Sequence, residues 1–327
     1  MFNNPLLQRK FGHLPHLKKR TRNEWSAACP VCGDAGHEGN GQPDRFRIFD
    51  DDKPLGWCRK CGHLEFAQDD NELAHDPQLM AEMQRRRAEL AEQENRNLRQ
   101  RIAELKRSQL WIKYHDYMAE HHQRSLWRDA GIPDSLQDYW NFGVNPLYEG
   151  MGQDGKFTSP AMSIPYFGVG REIKNMQYRL IAPPTAGDKY RFTHGLKVRD
   201  LWLAMPDEKP SGSVLICEGV KKGANAFHQI VAQGVNSSLL VVAIPNLTPD
   251  SDMLTLLADC DPVYICVDPD GMKPNKQGVI RAHVLANQIG ARRVRIVDMP
   301  AKLDDLVLDC GFDGTDLNRY VTMARRA

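Results

Sequence analysis

The sequence holds no run of 18 or more apolar residues, so nothing in it reads as a membrane-spanning helix. Its N-terminus, MFNNPLLQRKFGHLPHLKKR, lacks an apolar core of signal-peptide length, and a cytoplasmic location is expected. Excess charge of one sign is also missing: 43 Lys and Arg face 42 Asp and Glu, a net +1. A chain this close to neutral is no overall cationic binder, and affinity for a polyanion needs a local patch. No Gly-x4-Gly-Lys-Ser/Thr loop occurs, which excludes a P-loop motor within the sequence. Glycine and proline are absent from residues 78–124, which excludes a turn-rich segment there.

What is present suffices for two or three folded units. Residues 1–66 are rich in Gly, Asp and paired Cys, with short extended segments such as Arg45–Phe49. Residues 67–78 are acidic and polar and read as a linker. The following stretch, to Arg124, is built of Glu, Arg, Gln, Leu and Ala, all good helix formers. Leu98, Leu105 and Ile112 recur every seven residues there, and Met83 and Leu90 do so one position out of phase. This is a narrow apolar seam on a charged helix, suited to a solvated connector, a covering domain or a coiled-coil partner.

From about Trp127 strands and helices alternate. Val214–Cys217, Leu239–Ile244, Val263–Val267 and Arg293–Val297 read as strands, with helices over Lys221–Val231 and about Gly278–Ile289. Continuous apolar runs alternating with helices predict a mostly parallel sheet covered on both faces. In such sheets ligands gather beyond the carboxyl ends of the strands.

Cys29-Pro-Val-Cys32 and Cys58-Arg-Lys-Cys61 are two knuckles separated by residues 33–57, with Gly33 and Gly62 after each pair. Four thiolates at this spacing predict one closed, structural Zn2+ site. Arg45, Arg47, Arg59 and Lys60 interleave with Phe46, Phe49 and Trp57, a mixture suited to unpaired bases and phosphates. The plainer reading makes two of those three aromatics the ribbon's own core. Cys217, Cys260, Cys266 and Cys310 stand singly in or beside apolar runs and read as buried, reduced thiols.

Glu218-Gly219 closes one predicted strand, and Asp268-Pro-Asp270-Gly271 closes another. Residues i and i+2 of an extended segment face the same way, so Asp268 and Asp270 can aim at one ion. Hard carboxylate oxygens suit Mg2+ or Mn2+, and two such ions could serve an in-line phosphoryl displacement. These motifs make residues 213–310 resemble a Toprim domain, the fold shared by DnaG-type primases, topoisomerases and some nucleases. The resemblance implies acid-base or metal-binding roles for Glu218 and metal binding by Asp268 and Asp270. Met299–Leu306 resembles a primase segment that adds acidic residues, which points to Asp304 first and Asp305 second. A helix-capping acid is the structural alternative for Asp304. Where primases often carry an Asp four residues after the Glu, this chain has Lys222. Lys221 and Lys222 read as nucleotide-phosphate ligands or as solvated helix residues.

Trp127–Pro133, Tyr139–Pro146, Ser163–Arg171, Asn175–Ile181, Lys189–Lys197 and Leu201–Leu203 resemble, in order, the basic subdomain that precedes Toprim in DnaG-like and phage primases. That resemblance implies template and nucleotide binding by Arg179, Lys189, Arg191 and Lys197. Between Arg171 and Arg199 lie seven cations and only two acids, Glu172 and Asp188, which is the local patch a neutral chain requires.

The expected architecture is α+β and α/β multidomain. It comprises a zinc ribbon (1–66), a linker and charged helix (67–125), a basic subdomain (126–210) and a Toprim domain (211–327). The resemblance implies a DNA-dependent RNA primase of a phage or mobile element, in the bacterial host cytoplasm if phage-encoded. Its implied cofactors are one Zn2+ and two Mg2+ or Mn2+. Its implied partners are single-stranded DNA, nucleoside triphosphates and a separate helicase. The rivals are a Toprim nuclease and a catalytically impaired nucleic-acid-binding protein.

Overall fold

The computed structural model describes residues 2, 4–31, 33, 45–50, 54–58, 63–67, 77–152, 155–185, 189–196, 200–247, 249, 251–274 and 280–327. The chain forms two compact units, Met1–Asn95 with Gln153–Gly155, and Arg96–Gly152 with Lys156–Ala327. Three sheets make a mixed α+β molecule. No helix among the described residues is long and apolar enough to cross a membrane.

The smaller unit is built on a five-stranded antiparallel sheet in chain order: β1 (Lys18–Lys19), β2 (Glu24–Ala27), β3 (Phe46–Phe49), β4 (Leu55–Cys58) and β5 (Leu64–Phe66). Phe11 of the Pro5–Phe11 helix packs edge-on against Phe46, and both are fully buried with Trp25 and Ile48. Of the three aromatics weighed above, only Phe46 is buried; Phe49 and Trp57 are half-buried. The proposed linker falls mostly outside the described residues.

The helix expected over 78–124 is two helices, Pro77–Ser108 and Leu110–Glu120, broken where Gln109 takes φ +50°. That left-handed residue shifts the helical phase, so the seven-residue seam does not continue through it. Leu105 is buried and packs with Leu98 and Ile102 in one cluster, whereas Ile112 is exposed. Leu110, Trp111 and Tyr114 take over the contact. The side chains of Met83 and Leu90 lie outside the described residues. Leu98, Ile102 and Leu105 are covered by a four-stranded sheet in the order β6 (Gly143–Gly152), β7 (Gly155–Phe167), β8 (Ile173–Leu180), β9 (Tyr190–Phe192). Its β7–β8 and β8–β9 pairings are antiparallel.

The third sheet has the order β10-β12-β11-β13-β14-β15. Its strands are β10 (Trp202–Leu203), β11 (Gly212–Glu218), β12 (Leu240–Ile244), β13 (Cys260–Cys266), β14 (Val294–Ile296) and β15 (Arg325–Arg326). β11 pairs in parallel with β12 and β13, and β13 with β14; both edge pairings are antiparallel. Three of this sheet's five pairings are parallel, but over the molecule as a whole the sheets are mostly antiparallel, which the expectation of a mostly parallel sheet did not foresee. The edge strands β10 and β15 are two residues long; β10 lies in the apolar run Leu201–Met205, whereas β15, Arg325–Arg326, carries no apolar residue.

Alternate β11 residues feed two cores. Leu215 and Cys217 join a cluster with Trp127, Trp140, Phe142 and Phe227, while Val214 and Ile216 join one with Leu285 and Ile289. Burial on both faces is why these strands read as unbroken apolar runs. The Trp140 ring lies 5.0–5.5 Å from those of Phe142, Trp202 and Phe227, tilted against the first and edge-on to the other two, and its Nε1–H donates to the Ala204 carbonyl at 2.8 Å. Full burial of each such ring contributes roughly 2–3 kcal/mol. The helix after β11 runs only Val220–Ala226 before a π-helical turn, Phe227–Ala232. The later helix is described over Arg281–Ile289, with 275–279 outside the described residues. Cys217, Cys260 and Cys266 are buried as expected, but Cys310 is exposed at the end of the Leu303–Asp309 helix.

Candidate acidic site and basic cleft

The parallel register sets the site. Cys217 lies opposite Cys266, so Glu218 and Asp268 emerge from the carboxyl ends of adjacent strands. Gly219 turns the chain from β11 into the Val220–Ala226 helix with φ +86°, a conformation side chains resist, and its N–H donates to the Ile244 carbonyl at 2.8 Å. Gly223 keeps that helix close: a Cβ there would lie 3.1 Å from the Ala243 methyl.

Burial raises the Glu218 carboxyl above the ordinary range, and the Asp268 charge adds to it. Asp268 is itself buried and accepts a hydrogen bond from Lys222 Nζ at 2.7 Å through Oδ2. The same ammonium lies 2.6 Å from Oδ1 but outside hydrogen-bond geometry, and Oδ1 has no other partner. Burial works against the Lys222 charge, yet the hydrogen bond to Asp268 and the charges of Asp268, Asp304 and Glu218 outweigh it, so its pKa is raised. Asp270 is exposed and accepts from Arg281 at 2.9 Å. Asp304 pairs with Lys221 at 3.1 Å. Burial opposes the Asp304 charge, but the Lys221 hydrogen bond prevails and lowers its pKa. Asp305 is exposed.

Asp304 lies in the first turn of its helix, but Lys302, not Asp304, stands at the N-cap, so the capping role weighed from sequence is not taken. Arg281, the cation partner of Asp270, and Lys302 were not singled out from sequence. Arg281 carried one usable signal: it opens a helix eleven residues past Asp270.

A cleft of about 490 Å³ is lined by Arg179, Lys189 and Lys221 with Leu126, Met162 and Ile181. Desolvation lowers the Lys189 pKa, and the neighbouring charges of Arg179, Lys221 and Lys302 deepen the shift. Arg179 donates to Met162 Sδ at 3.2 Å, and Arg191 reaches the Met151 carbonyl at 3.5 Å. Lys197 lies outside the described residues. Arg171 is engaged elsewhere, over the Tyr139 ring at 4.5 Å and against Asp207 at 3.2 Å.

For a hard divalent cation the donor type fits, since Glu218, Asp268 and Asp270 are all carboxylates, but Asp268 Oδ1, which accepts no hydrogen bond, already has the Lys222 ammonium 2.6 Å away. Among the described residues no three Asp, Glu, His or Cys side chains form a ready metal cage. Magnesium-like ions are commonly held by one or two carboxylates, completed by waters and substrate phosphates. For zinc, Cys29 and Cys58 are buried together in one cluster, and the Val31 N–H points at Cys29 Sγ at 3.4 Å. Gly33 takes φ +65° and donates to the Cys29 carbonyl at 2.9 Å, closing the first turn. Cys32 and Cys61 lie outside the described residues.

No family model matches the chain, and no curated protein matches it in sequence. Solved structures do match in fold. The zinc-binding and RNA polymerase domains of the Aquifex aeolicus primase align over 98% of this chain and 83% of that one, at 15% identity and a TM-score of 0.51. A DnaG primase catalytic domain bound to single-stranded DNA aligns over 71% and 84%, at 15% identity and a TM-score of 0.53. The fold of this chain is that of the DnaG-type primases.

Proposed function

We propose that this chain is a DNA-dependent RNA primase, making short primers on single-stranded DNA for the replication of a phage or mobile element. The observation that carries the reading is one juxtaposition. Glu218 and Asp268 close adjacent parallel strands, and Lys221, on the helix that follows Glu218 and paired with Asp304, lines a cleft with Arg179 and Lys189. Carboxylates beside unpaired cations suit a reaction between phosphate-bearing chains, and a DnaG catalytic domain of the same fold binds single-stranded DNA.

In this reading residues 211–327 form a Toprim catalytic domain, 126–210 a basic subdomain, 67–125 the linker and helix, and 1–66 a zinc ribbon that reads template. Glu218, Asp268 and Asp270 hold Mg2+ or Mn2+, and Cys29, Cys32, Cys58 and Cys61 hold Zn2+. A bound divalent ion supplies charge stabilisation to the oxygens of an in-line displacement. Arg179, Lys189, Arg191 and Lys197 hold the template strand and the triphosphate, with Lys221 at the rim of the cleft. Glu218 serves either as a further ligand of that ion or as the acid-base group for the attacking 3′-hydroxyl. A separate helicase and a cytoplasmic setting complete the proposal.

The test is primer synthesis on single-stranded DNA of mixed sequence, with labelled nucleotides and Mg2+ or Mn2+, beside Asp268→Ala/Asp270→Ala. Short products that vanish in the variant support the reading. Degraded template points to a nuclease. DNA binding without products points to the catalytically impaired protein, a reading favoured by the cation seated on Asp268.

A further inference from the structure

Each acid of the candidate site except Glu218 carries a cation of the chain itself: Lys222 on Asp268, Arg281 on Asp270, Lys221 on Asp304. The three pairs differ in kind. Arg281 and Asp270 are exposed, with side chains 40% and 69% accessible, and water screens them. Lys222 and Asp268 are 16% and 12% accessible, and the ammonium sits within 2.7 Å of both carboxylate oxygens. An ion approaching Asp268 therefore meets a positive charge already seated between the two donor atoms it would use. The charge count points the same way. Glu218, Asp268 and Asp270 bring three negative charges, and Lys222 with Arg281 brings two positive, leaving one negative charge. That remainder falls short of the charge of even one divalent ion, so a second ion would depend wholly on substrate phosphates.

We infer that Lys222 is a resident cation occupying the place of one divalent ion, so that this strand-end site takes a single divalent ion rather than two. The inference rests on the metal-dependent reading proposed above and refines it. The remaining ion is left with Glu218 and Asp270, whose partner Arg281 can swing into solvent. Lys222 supplies the second positive charge from the protein, on a helix held to the sheet by the close approach at Gly223. Its position cannot be lost to a chelator, and it asks for no dehydration of a second ion.

The experiment counts Mn2+ on the zinc-loaded full chain by titration, with electron paramagnetic resonance reporting whether bound ions lie close enough to couple. The native chain is expected to bind one Mn2+ with an uncoupled spectrum. Lys222→Ala and Lys222→Asp are expected to bind two, with coupling between them, and Lys222→Arg to stay at one. Circular dichroism checks that each variant folds, and the aspartate keeps the test open should the alanine fail. Two coupled ions in the native chain would overturn the inference while leaving the metal-dependent reading intact. One ion in every variant would overturn it equally. No Mn2+ bound in the native chain or in any Lys222 variant would remove the metal-dependent reading, and the inference with it.

Discussion

The cleft cations Arg179 and Lys189 and the cations beside β11 and β13 are of the same types and are used in opposite ways, whereas Arg171 and Lys174 of the antiparallel β6–β9 region are paired with Asp207 and Glu172. Arg179 and Lys189 make no ion pair among the described residues, and Lys189 is depressed by burial and by the cations around it. Lys221, Lys222 and Arg281 each sit on an acid. The cleft holds Arg179 and Lys189 outside any ion pair among the described residues, with Asp129 also on its wall; the strand-end site balances its charge internally. Positive groups crowded without acids raise the local potential and favour a polyanion. Paired charges do not, and removing one leaves the other stranded. Cation content alone therefore misjudges both regions, and pairing decides which residues face a ligand.

Three substitutions probe that contrast. Lys222→Ala removes one half of a buried pair and is expected to lower the stability of the larger unit by about 3 kcal/mol, read by urea unfolding. A loss under ~1 kcal/mol would place Lys222 among solvated residues and erase the difference between the regions. Lys189→Ala should change stability by no more than ~0.5 kcal/mol. Its effect belongs in single-stranded DNA binding, where each lost phosphate contact flattens the log affinity against log salt slope by about 0.7. An unchanged slope would mean the cleft does not hold the strand. The smallest effect is expected at Glu172, which is bonded by Lys106 and Lys174 and has its pKa lowered to about 2, with those bonds as the leading cause. A depressed carboxyl stabilises above its ordinary pKa near 4.5 and loses that contribution as pH falls toward 2. The pair is exposed, so Glu172→Gln should cost ~0.5 kcal/mol at neutral pH and nothing near pH 2.

The central strands were legible because burial on both faces leaves an unbroken apolar signature: Val214–Cys217 falls inside β11, and Val263–Val267 covers the second half of β13 and runs one residue past its end at Cys266. Glu218 and Asp268 were legible as strand-end acids for the same reason. Pairings across long stretches of sequence were not. Lys222 meets Asp268 46 residues away, and Lys221 meets Asp304 farther still. Lys222 was noticed as a basic residue where an acid was expected, but no spacing rule says which carboxylate it reaches. The break at Gln109 was hidden because glutamine is a good helix former and nothing local announces a left-handed residue. Only its consequence, a buried Leu105 beside an exposed Ile112, reveals it.

The most direct test of the primase reading is the sequence of what the protein makes. Single-stranded DNA built of blocks of known sequence is supplied with four labelled ribonucleotides and Mg2+ or Mn2+, and the products are sequenced. Short RNAs complementary to the block they start on are the predicted result. RNA whose sequence ignores the template, or template shortened with no RNA made, would contradict it.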